Sequence, residues 1–160
     1  MAYSSFTRRR MLLAGASLAC LAAAPAYAAV PGSVAVHVRK DPDCGCCTDW
    51  IDILKAEGFE VTVEMVPPDQ LMRFKQEQGI PETMVSCHTA EAGGYLIEGH
   101  VPPADLRRLL ADKPEALGLA VPGMPWGSPG MGPETEREAY EVFLMARDGS
   151  TTVFASYPAA

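Results

Sequence analysis

Three cysteines within four residues constrain this chain more than any other feature of its sequence. The segment Asp43-Cys44-Gly45-Cys46-Cys47 stands directly before a stretch with the apolar spacing of a helix. Because the adjacent Cys46 and Cys47 can pair only in strained geometry, at most one short disulfide forms here. Clustered thiols are suited instead to holding a soft metal ion or to exchanging electrons. We therefore expect a fold that gathers these sulfurs at the start of a helix.

The first 28 residues have the pattern of an export signal. Three arginines, residues 8–10, precede a short alanine-rich apolar run, and Ala26-Tyr27-Ala28 fits a signal-peptidase site. The run is too short and too rich in alanine to favour a transmembrane helix. We expect cleavage after about Ala28, a periplasmic location and a single mature domain over residues 29–160. The stretch 7–12 favours the twin-arginine export route over an ordinary Sec signal.

The charge of the mature chain limits its partners. Removing residues 1–28 takes three arginines and no acid from 13 basic and 20 acidic residues, which leaves a net charge of about −10. Such a chain is repelled by nucleic acid and by anionic membranes, so we expect neither as a partner. The remaining 132 of 160 residues are enough for one domain that buries its core without disulfides.

Apolar periodicity and turn residues predict an α/β fold. The predicted order is β-α-β-α-β-β-α followed by a C-terminal β-hairpin, which is the layout of a thioredoxin-like domain with one addition. The cysteine cluster stands at the first strand-to-helix junction of this order. The predicted strands are residues 34–38, 61–66, 83–88 and 95–98, the helices 48–57, 68–78 and one from Pro102 or Pro103, and the hairpin 140–147 with 151–157.

The predicted position of the cysteines has chemical consequences. Unpaired backbone N–H groups and the positive end of the helix dipole favour thiolate over thiol at a helix N-terminus. Cys44 and Cys47 have the C-x-x-C spacing of redox proteins with this fold. Cys46 would interfere with such an enzyme by trapping its mixed disulfide, whereas three thiolates from one loop form a strong soft-metal site. Metal binding, disulfide exchange and a structural disulfide with Cys87 all remain open at this point.

Cys87 and His88 form a second group of candidate residues. Cys87 is the only cysteine of residues 29–160 outside the cluster, and the predicted layout brings the third strand beside the first. We therefore expect a fourth thiol near the other three. Neighbours in a strand point to opposite faces, so His88 can share a metal with Cys87 only where the strand ends or bends. His100 follows a predicted strand and precedes a helix, a position that also suits a turn partner.

A loop rich in proline and glycine, residues 121–133, contains Met124 and Met131. Thioether sulfur is a soft ligand suited to Cu(I), and it is not lost to disulfide formation in an oxidising compartment. Methionine is also ordinary packing material. Thiols, methionines and histidines in one exported chain favour copper. By contrast, Met65, Met72 and Met145 lie on periodic apolar segments, and we expect them in the core.

These motifs together resemble the CopG-type periplasmic copper-resistance proteins, a family formerly known only as a domain of unknown function. The matching segments follow one another in the expected order over nearly the whole mature chain. They are Cys44-Gly45-Cys46-Cys47 with Trp50, Ser86-Cys87-His88-Thr89-Ala90, Gly94-Tyr95-Leu96-Ile97-Glu98-Gly99-His100-Val101-Pro102, Gly118-Leu119-Ala120-Val121-Pro122-Gly123-Met124-Pro125 and Gly127-Ser128-Pro129-Gly130-Met131.

The resemblance implies a thioredoxin-like fold and copper bound at the C-x-C-C motif, extending to a multinuclear cluster. It also implies a role in handling excess periplasmic copper. The implied metal ligands and motif positions are Cys44, Cys46, Cys47, Cys87, His88, His100, Met124 and Met131.

The resulting prediction is an exported copper-binding protein that contributes to copper tolerance. It would sequester copper ions, pass them to other periplasmic copper-handling proteins, or change their oxidation state between Cu(I) and Cu(II). No catalytic residue is assigned. The first alternative is a thiol–disulfide oxidoreductase that uses Cys44 and Cys47. The second is a structural zinc module, which would leave the methionine loop without a role.

Overall fold

A computed structural model describes residues 33–160, so the predicted export signal and its cleavage site lie outside the described residues. The described part forms one mixed sheet of seven strands with three α-helices, which confirms the predicted α/β class. The elements are β1 Ala35–Lys40, α1 Gly45–Ala56, β2 Glu60–Met65, α2 Pro68–Glu77, β3 His88–Ala92, β4 Tyr95–Glu98, α3 Pro103–Asp112, β5 Gly118–Ala120, β6 Tyr140–Met145 and β7 Thr151–Tyr157, with 3₁₀ turns at Glu82–Met84 and Glu134–Glu136.

The sheet topology places the start of β3 beside the end of β1. The strand order is β2-β1-β3-β4-β5-β6-β7, with β1 parallel to β2 and antiparallel to β3. The last pair of the β1–β3 ladder joins Lys40 to His88. The chain that leaves β1 toward the cysteines therefore lies beside the chain that enters β3.

Two apolar clusters cover the two faces of the sheet. Neighbouring strand residues alternate between them, since Ile97 belongs to the first and Leu96 to the second. The first cluster includes Trp50 and Leu54 of α1 together with Leu106 of α3. The second is packed against α2 through Phe74 and contains Ile80, Met84, Leu96, Ala120 and Met145. Helices α1 and α3 thus share one face, and α2 covers the other.

The third strand is not where the sequence predicts it. The sequence predicts a strand over residues 83–88, but Glu82–Met84 form a 3₁₀ turn and the strand runs over His88–Ala92. The turn forms because the Met84 N–H donates to the carbonyl of Pro81 at 2.8 Å, which lets Met84 enter the second apolar cluster. Cys87 consequently stands just before β3, and the alternation of a strand does not force it away from His88.

The C-terminal part of the sheet agrees with the prediction except at β5. The predicted hairpin is present, because β6 pairs antiparallel with β7. Strand β5 has only three residues, too few for a periodic pattern, and it links β4 to β6. Met145 is buried as expected, but Met65 and Met72 are exposed, since Met65 ends the edge strand β2. Within residues 33–160, no helix combines the length and apolar character needed to cross a membrane.

Candidate metal centre

The cysteine loop is built by a tight turn that leads from β1 into α1. The Cys44 N–H donates to the carbonyl of Asp41 at 3.1 Å, and the Asp43 N–H donates to the Asp41 carboxylate at 2.9 Å. Cys44 is the N-cap of α1, so Cys46 and Cys47 belong to its first turn. Backbone N–H groups of a first turn lack helical partners and are favourable neighbours for negatively charged groups.

Four cysteine sulfurs converge at this helix end. The sulfurs of Cys44, Cys46, Cys47 and Cys87 all lie within 4.8 Å of one another. Cys44 and Cys47 are joined by a disulfide, while Cys46 and Cys87 are free and half-buried. The Sγ atom of Cys46 is 3.6 Å from that of Cys44. Reduction of the disulfide would therefore give four thiols close enough to act on one metal ion or a small cluster.

Cys87 also belongs to a second group of donor atoms, with His88 and His100. The three ligand atoms lie within 4.8 Å of one another. The Cys87 sulfur is 3.3 Å from His88 Nδ1 and 3.1 Å from His100 Nε2. Cys87 is thus common to the thiol group and to the histidine group, and the two groups form one continuous site.

His100 is oriented by the proline- and glycine-rich loop. Its Nδ1 lies 2.7 Å from the carbonyl oxygen of Pro129, which can only accept, so Nδ1 carries the proton and donates it. Burial lowers the pKa of His100, so the ring is neutral and Nε2 directs its lone pair toward Cys87. A histidine held through its second nitrogen by a backbone carbonyl is the usual arrangement of a metal ligand.

His88 is fixed by packing more than by hydrogen bonding. Burial lowers the pKa of His88 well below its ordinary value, and the nearby His100 and Lys75 act in the same direction. The His88 ring lies 4.4 Å from the Trp50 ring, measured between centroids. Its Nε2 is the one buried side-chain nitrogen or oxygen in residues 33–160 without a hydrogen-bond partner. Such an unpaired atom costs about 1–3 kcal/mol, which argues that His88 is not placed there for stability.

Cys87 is a neutral thiol in these surroundings. Burial raises the pKa of Cys87 to about 12, and the charge of a Cys46 thiolate nearby adds to the effect. The thiol loses its proton when a soft cation takes the proton's place, because the thiolate is the ligand form. Neutral histidines and a thiol with a displaceable proton fit a soft or borderline metal ion.

The loop that carries the two methionines passes beside the site. At one end the Ser86 hydroxyl donates to the carbonyl of Gly123. At the other end Gly130 has a φ of +84°, and an added Cβ would lie 2.7 Å from the Trp50 nitrogen. Met124 is 54% exposed and Met131 is half-buried in this loop. Their role as ligands remains a prediction.

Sequence reasoning missed a buried ion pair behind the site. Lys75 of α2 contacts Glu98 of β4, and both side chains are almost completely buried. Two signals pointed to them. Glu98 ends an otherwise apolar strand, and Lys75 lies four residues after the buried Leu71, on the inner face of an amphipathic helix.

These features define an α/β protein with a cysteine- and histidine-lined candidate metal site, and comparisons with known proteins narrow the class. A family described as "Protein of unknown function, DUF411" matches residues 84–131. A solved structure described as "Copper resistance protein copG- Form 2" is 44% identical, with a TM-score of 0.73, and the match covers 79% of this chain and 99% of that one. Form 1 of the same protein is 43% identical, with a TM-score of 0.74, over 79% of this chain and 98% of that one. No curated protein matches the sequence.

The chain belongs to the CopG-type family of copper resistance proteins, because the identity is high and the match spans almost the full length of the related structures. The family-model match covers the segment from Met84 to Met131, which contains Cys87, both histidines of the site and both methionines of the loop. The resemblance inferred from the sequence motifs is therefore confirmed.

Proposed function

We propose that this protein binds copper ions and contributes to copper tolerance. The observation that carries the proposal is the convergence of four cysteine sulfurs with two histidine nitrogens around Cys87. The similarity to a protein described as a copper resistance protein supports copper as the metal. Copper is here the cargo or substrate of the protein.

The donor set suits both common oxidation states of copper. Thiolate and thioether sulfurs are soft and prefer Cu(I), whereas imidazole nitrogens also accept Cu(II). A site that offers both can hold copper through a change of oxidation state. Because Cys87 belongs to both donor groups, its thiolate would be available to copper held by either group in a multinuclear site. Met124 and Met131 would complete the ligand set from the neighbouring loop.

The proposed setting is the periplasm, and the proposed fold is thioredoxin-like. In support of the fold, the β2-β1-β3-β4 part of the sheet and the C-x-x-C spacing at the start of α1 match the predicted layout. Export rests on the sequence of residues 1–28. N-terminal sequencing of the protein recovered from a periplasmic fraction tests it, with Ala29 as the expected first residue. Other periplasmic copper-handling proteins would be the partners.

The decisive experiment is metal analysis with thiol counting on protein purified anaerobically from periplasm with copper supplied. We expect one or more equivalents of copper in the wild type and loss of most of it in Cys46→Ser. Thr48→Ser is the matched control, since Thr48 is an exposed residue of the same helix turn. Unchanged copper content in Cys46→Ser would contradict the proposal, and bound zinc in place of copper would indicate a structural zinc site.

The Cys44–Cys47 disulfide favours one second candidate, a thiol–disulfide oxidoreductase. This activity requires that the reduced pair transfers its electrons to the disulfide of another protein. We expect the metal-free, reduced protein to reduce a protein disulfide no faster than Cys44→Ser does. Turnover that needs both Cys44 and Cys47, with no copper retained on purification, would favour the oxidoreductase instead.

A further inference from the structure

A buried ion pair lies directly behind the segment that carries Cys87 and His88. The Lys75 side chain is 1% exposed and that of Glu98 is 0% exposed. No other ion pair in residues 33–160 has both partners so deeply buried. A buried ion pair of this kind often stabilises the folded state no more than well-packed apolar residues would. Stability alone therefore does not explain why these two charged residues are buried here.

The contacts of the pair show what it holds. Glu98 Oε1 accepts the Ser86 backbone N–H at 2.6 Å, and Oε2 accepts the Thr89 hydroxyl at 2.6 Å. Lys75 Nζ contacts the same carboxylate and donates to the carbonyl of Ser86 at 3.1 Å. The pair thus forms hydrogen bonds with the backbone N–H and carbonyl of Ser86 and with the side chain of Thr89. Those two residues flank Cys87 and His88 on either side.

The sheet by itself does not hold Cys87. The β1–β3 ladder ends at the Lys40–His88 pair, so Cys87 lies beyond its last rung. On the opposite side of the site, His100 follows Glu98 by two residues, and the Gly99 N–H donates to the carbonyl of His88 at 3.0 Å. The carboxylate of Glu98 therefore ties the cysteine-bearing segment to the strand end that carries His100.

We propose that Lys75 and Glu98 are positioning residues of the metal centre, which hold Cys87 and His88 opposite His100 through Ser86 and Thr89. The inference rests on the proposed copper binding and adds to it the element that sets the geometry of the nitrogen-containing half of the site. Groups that orient the ligands of a metal usually change metal affinity 10–100-fold when removed.

Two double variants separate anchoring from charge. Lys75→Met/Glu98→Gln removes both charges but keeps an amide that accepts from Ser86 and donates to the Thr89 oxygen. Lys75→Met/Glu98→Leu removes both the charges and the anchor. Neither variant leaves an unpaired buried ion. The two variants therefore differ only in whether residue 98 can still form hydrogen bonds to Ser86 and Thr89.

The measurements are Cu(I) affinity, by anaerobic competition with a chromophoric chelator, and the count of sulfur and nitrogen ligands by X-ray absorption. We expect only a small loss of affinity for Lys75→Met/Glu98→Gln, which loses the Lys75 bond to the Ser86 carbonyl but keeps both hydrogen bonds of residue 98. For Lys75→Met/Glu98→Leu we expect a loss of about 10–100-fold, with fewer nitrogen ligands and the sulfurs of Cys44, Cys46 and Cys47 retained. A purely structural role would not change the ligand set.

Asp105→Asn is the remote control. Asp105 is a buried carboxylate of α3 that accepts the Tyr157 hydroxyl at 2.6 Å and contacts neither Ser86 nor Thr89, and its replacement should leave copper binding unchanged. If Lys75→Met/Glu98→Leu does not fold, Thr89→Val removes one anchor at nearly constant volume and should also weaken binding.

The outcomes that overturn the inference are distinct from those that overturn copper binding itself. Wild-type affinity and ligand set in Lys75→Met/Glu98→Leu, or in Thr89→Val if that variant replaces it, would overturn the positioning role alone. Equal losses in both double variants would overturn the role given to Glu98, because its retained hydrogen bonds to Ser86 and Thr89 would then have no effect. A wild-type protein that binds no Cu(I) would defeat the proposed function as well.

Discussion

Cys87 is the residue that the group of four cysteines shares with the Cys87–His88–His100 group. Its sulfur lies within 4.8 Å of the sulfurs of the cysteine cluster and within 4.8 Å of a ring nitrogen of His88 and of His100. The thiols and the imidazoles differ in softness, so the two sides of Cys87 should prefer different oxidation states of copper. At this scale the site is best tested by removing one type of donor at a time.

Replacing the histidines should separate the two oxidation states. We expect His88→Gln/His100→Gln to retain Cu(I) on the thiolates but to lose most of its Cu(II) signal, since the nitrogen donors that tolerate Cu(II) are gone. Electron paramagnetic resonance of the copper-loaded, oxidised protein measures this. His37→Gln is the control, because His37 is a partly exposed histidine of β1 whose ring nitrogens contact Thr62 and Glu64 and none of the candidate ligands. An unchanged Cu(II) spectrum in the double variant would contradict the assignment.

At the scale of elements, the site depends on how closely the methionine loop approaches α1. Gly130 lies against the first turn of that helix, with its φ in the left-handed region. Pro129, one residue earlier, supplies the carbonyl that orients His100. The close approach of the loop to α1 at Gly130 therefore lies next to the carbonyl that orients the His100 ring.

Gly130→Ala should weaken both the fold and the copper site. The new Cβ would lie 2.7 Å from the Trp50 nitrogen and 3.0 Å from the Cys46 carbonyl oxygen. Gly149→Ala is the matched control, because Gly149 has nearly the same φ of +85° with nothing within 4 Å. Chemical denaturation should show a loss of about 1–2 kcal/mol for the control from the left-handed backbone alone and a larger loss for Gly130→Ala. Equal losses, with copper affinity intact in both, would contradict the close-approach argument.

The elements that the sequence predicted well are those with a strong periodic pattern. Helix α1 was expected from Trp50, Ile51 and Leu54, but it begins three residues earlier because the cysteine turn itself is helical and carries no apolar period. The predicted position of strand β3 was wrong because Glu82–Met84 form a 3₁₀ turn that buries Met84, although the residues from Thr83 onward have the composition of a strand. Local patterns do not report such tertiary packing.

At the scale of the whole molecule, the site gathers residues that are far apart in the sequence. Glu98 lies 23 residues from Lys75, and Pro129 lies 29 residues from His100. The motifs identified the cysteines and histidines by residue type, so most of the candidate site was accessible from sequence. The partners that orient these ligands were missed, because the sequence can place Lys75 on the inner face of α2 and Glu98 at the end of β4 but does not show that the two side chains meet.

Because the ligands come from separate elements, copper should stabilise the whole fold. A ligand that binds only the folded state adds about 2.7 kcal/mol to the free energy of unfolding at a concentration 100 times its Kd. Thermal unfolding of the reduced protein with and without Cu(I) measures this gain. Cys46→Ser should show a clearly smaller gain. An identical midpoint with and without copper would mean that the metal does not link the elements.

The contact between Trp50 and His88 gives the protein an internal optical reporter. Its two tryptophans differ in surroundings, since Trp50 is buried against the His88 ring whereas Trp126 is 43% exposed. In Trp126→Phe the fluorescence would come from Trp50 alone. Copper arriving at His88 should then quench that emission without any added dye, so metal entry and release can be followed in real time in solution.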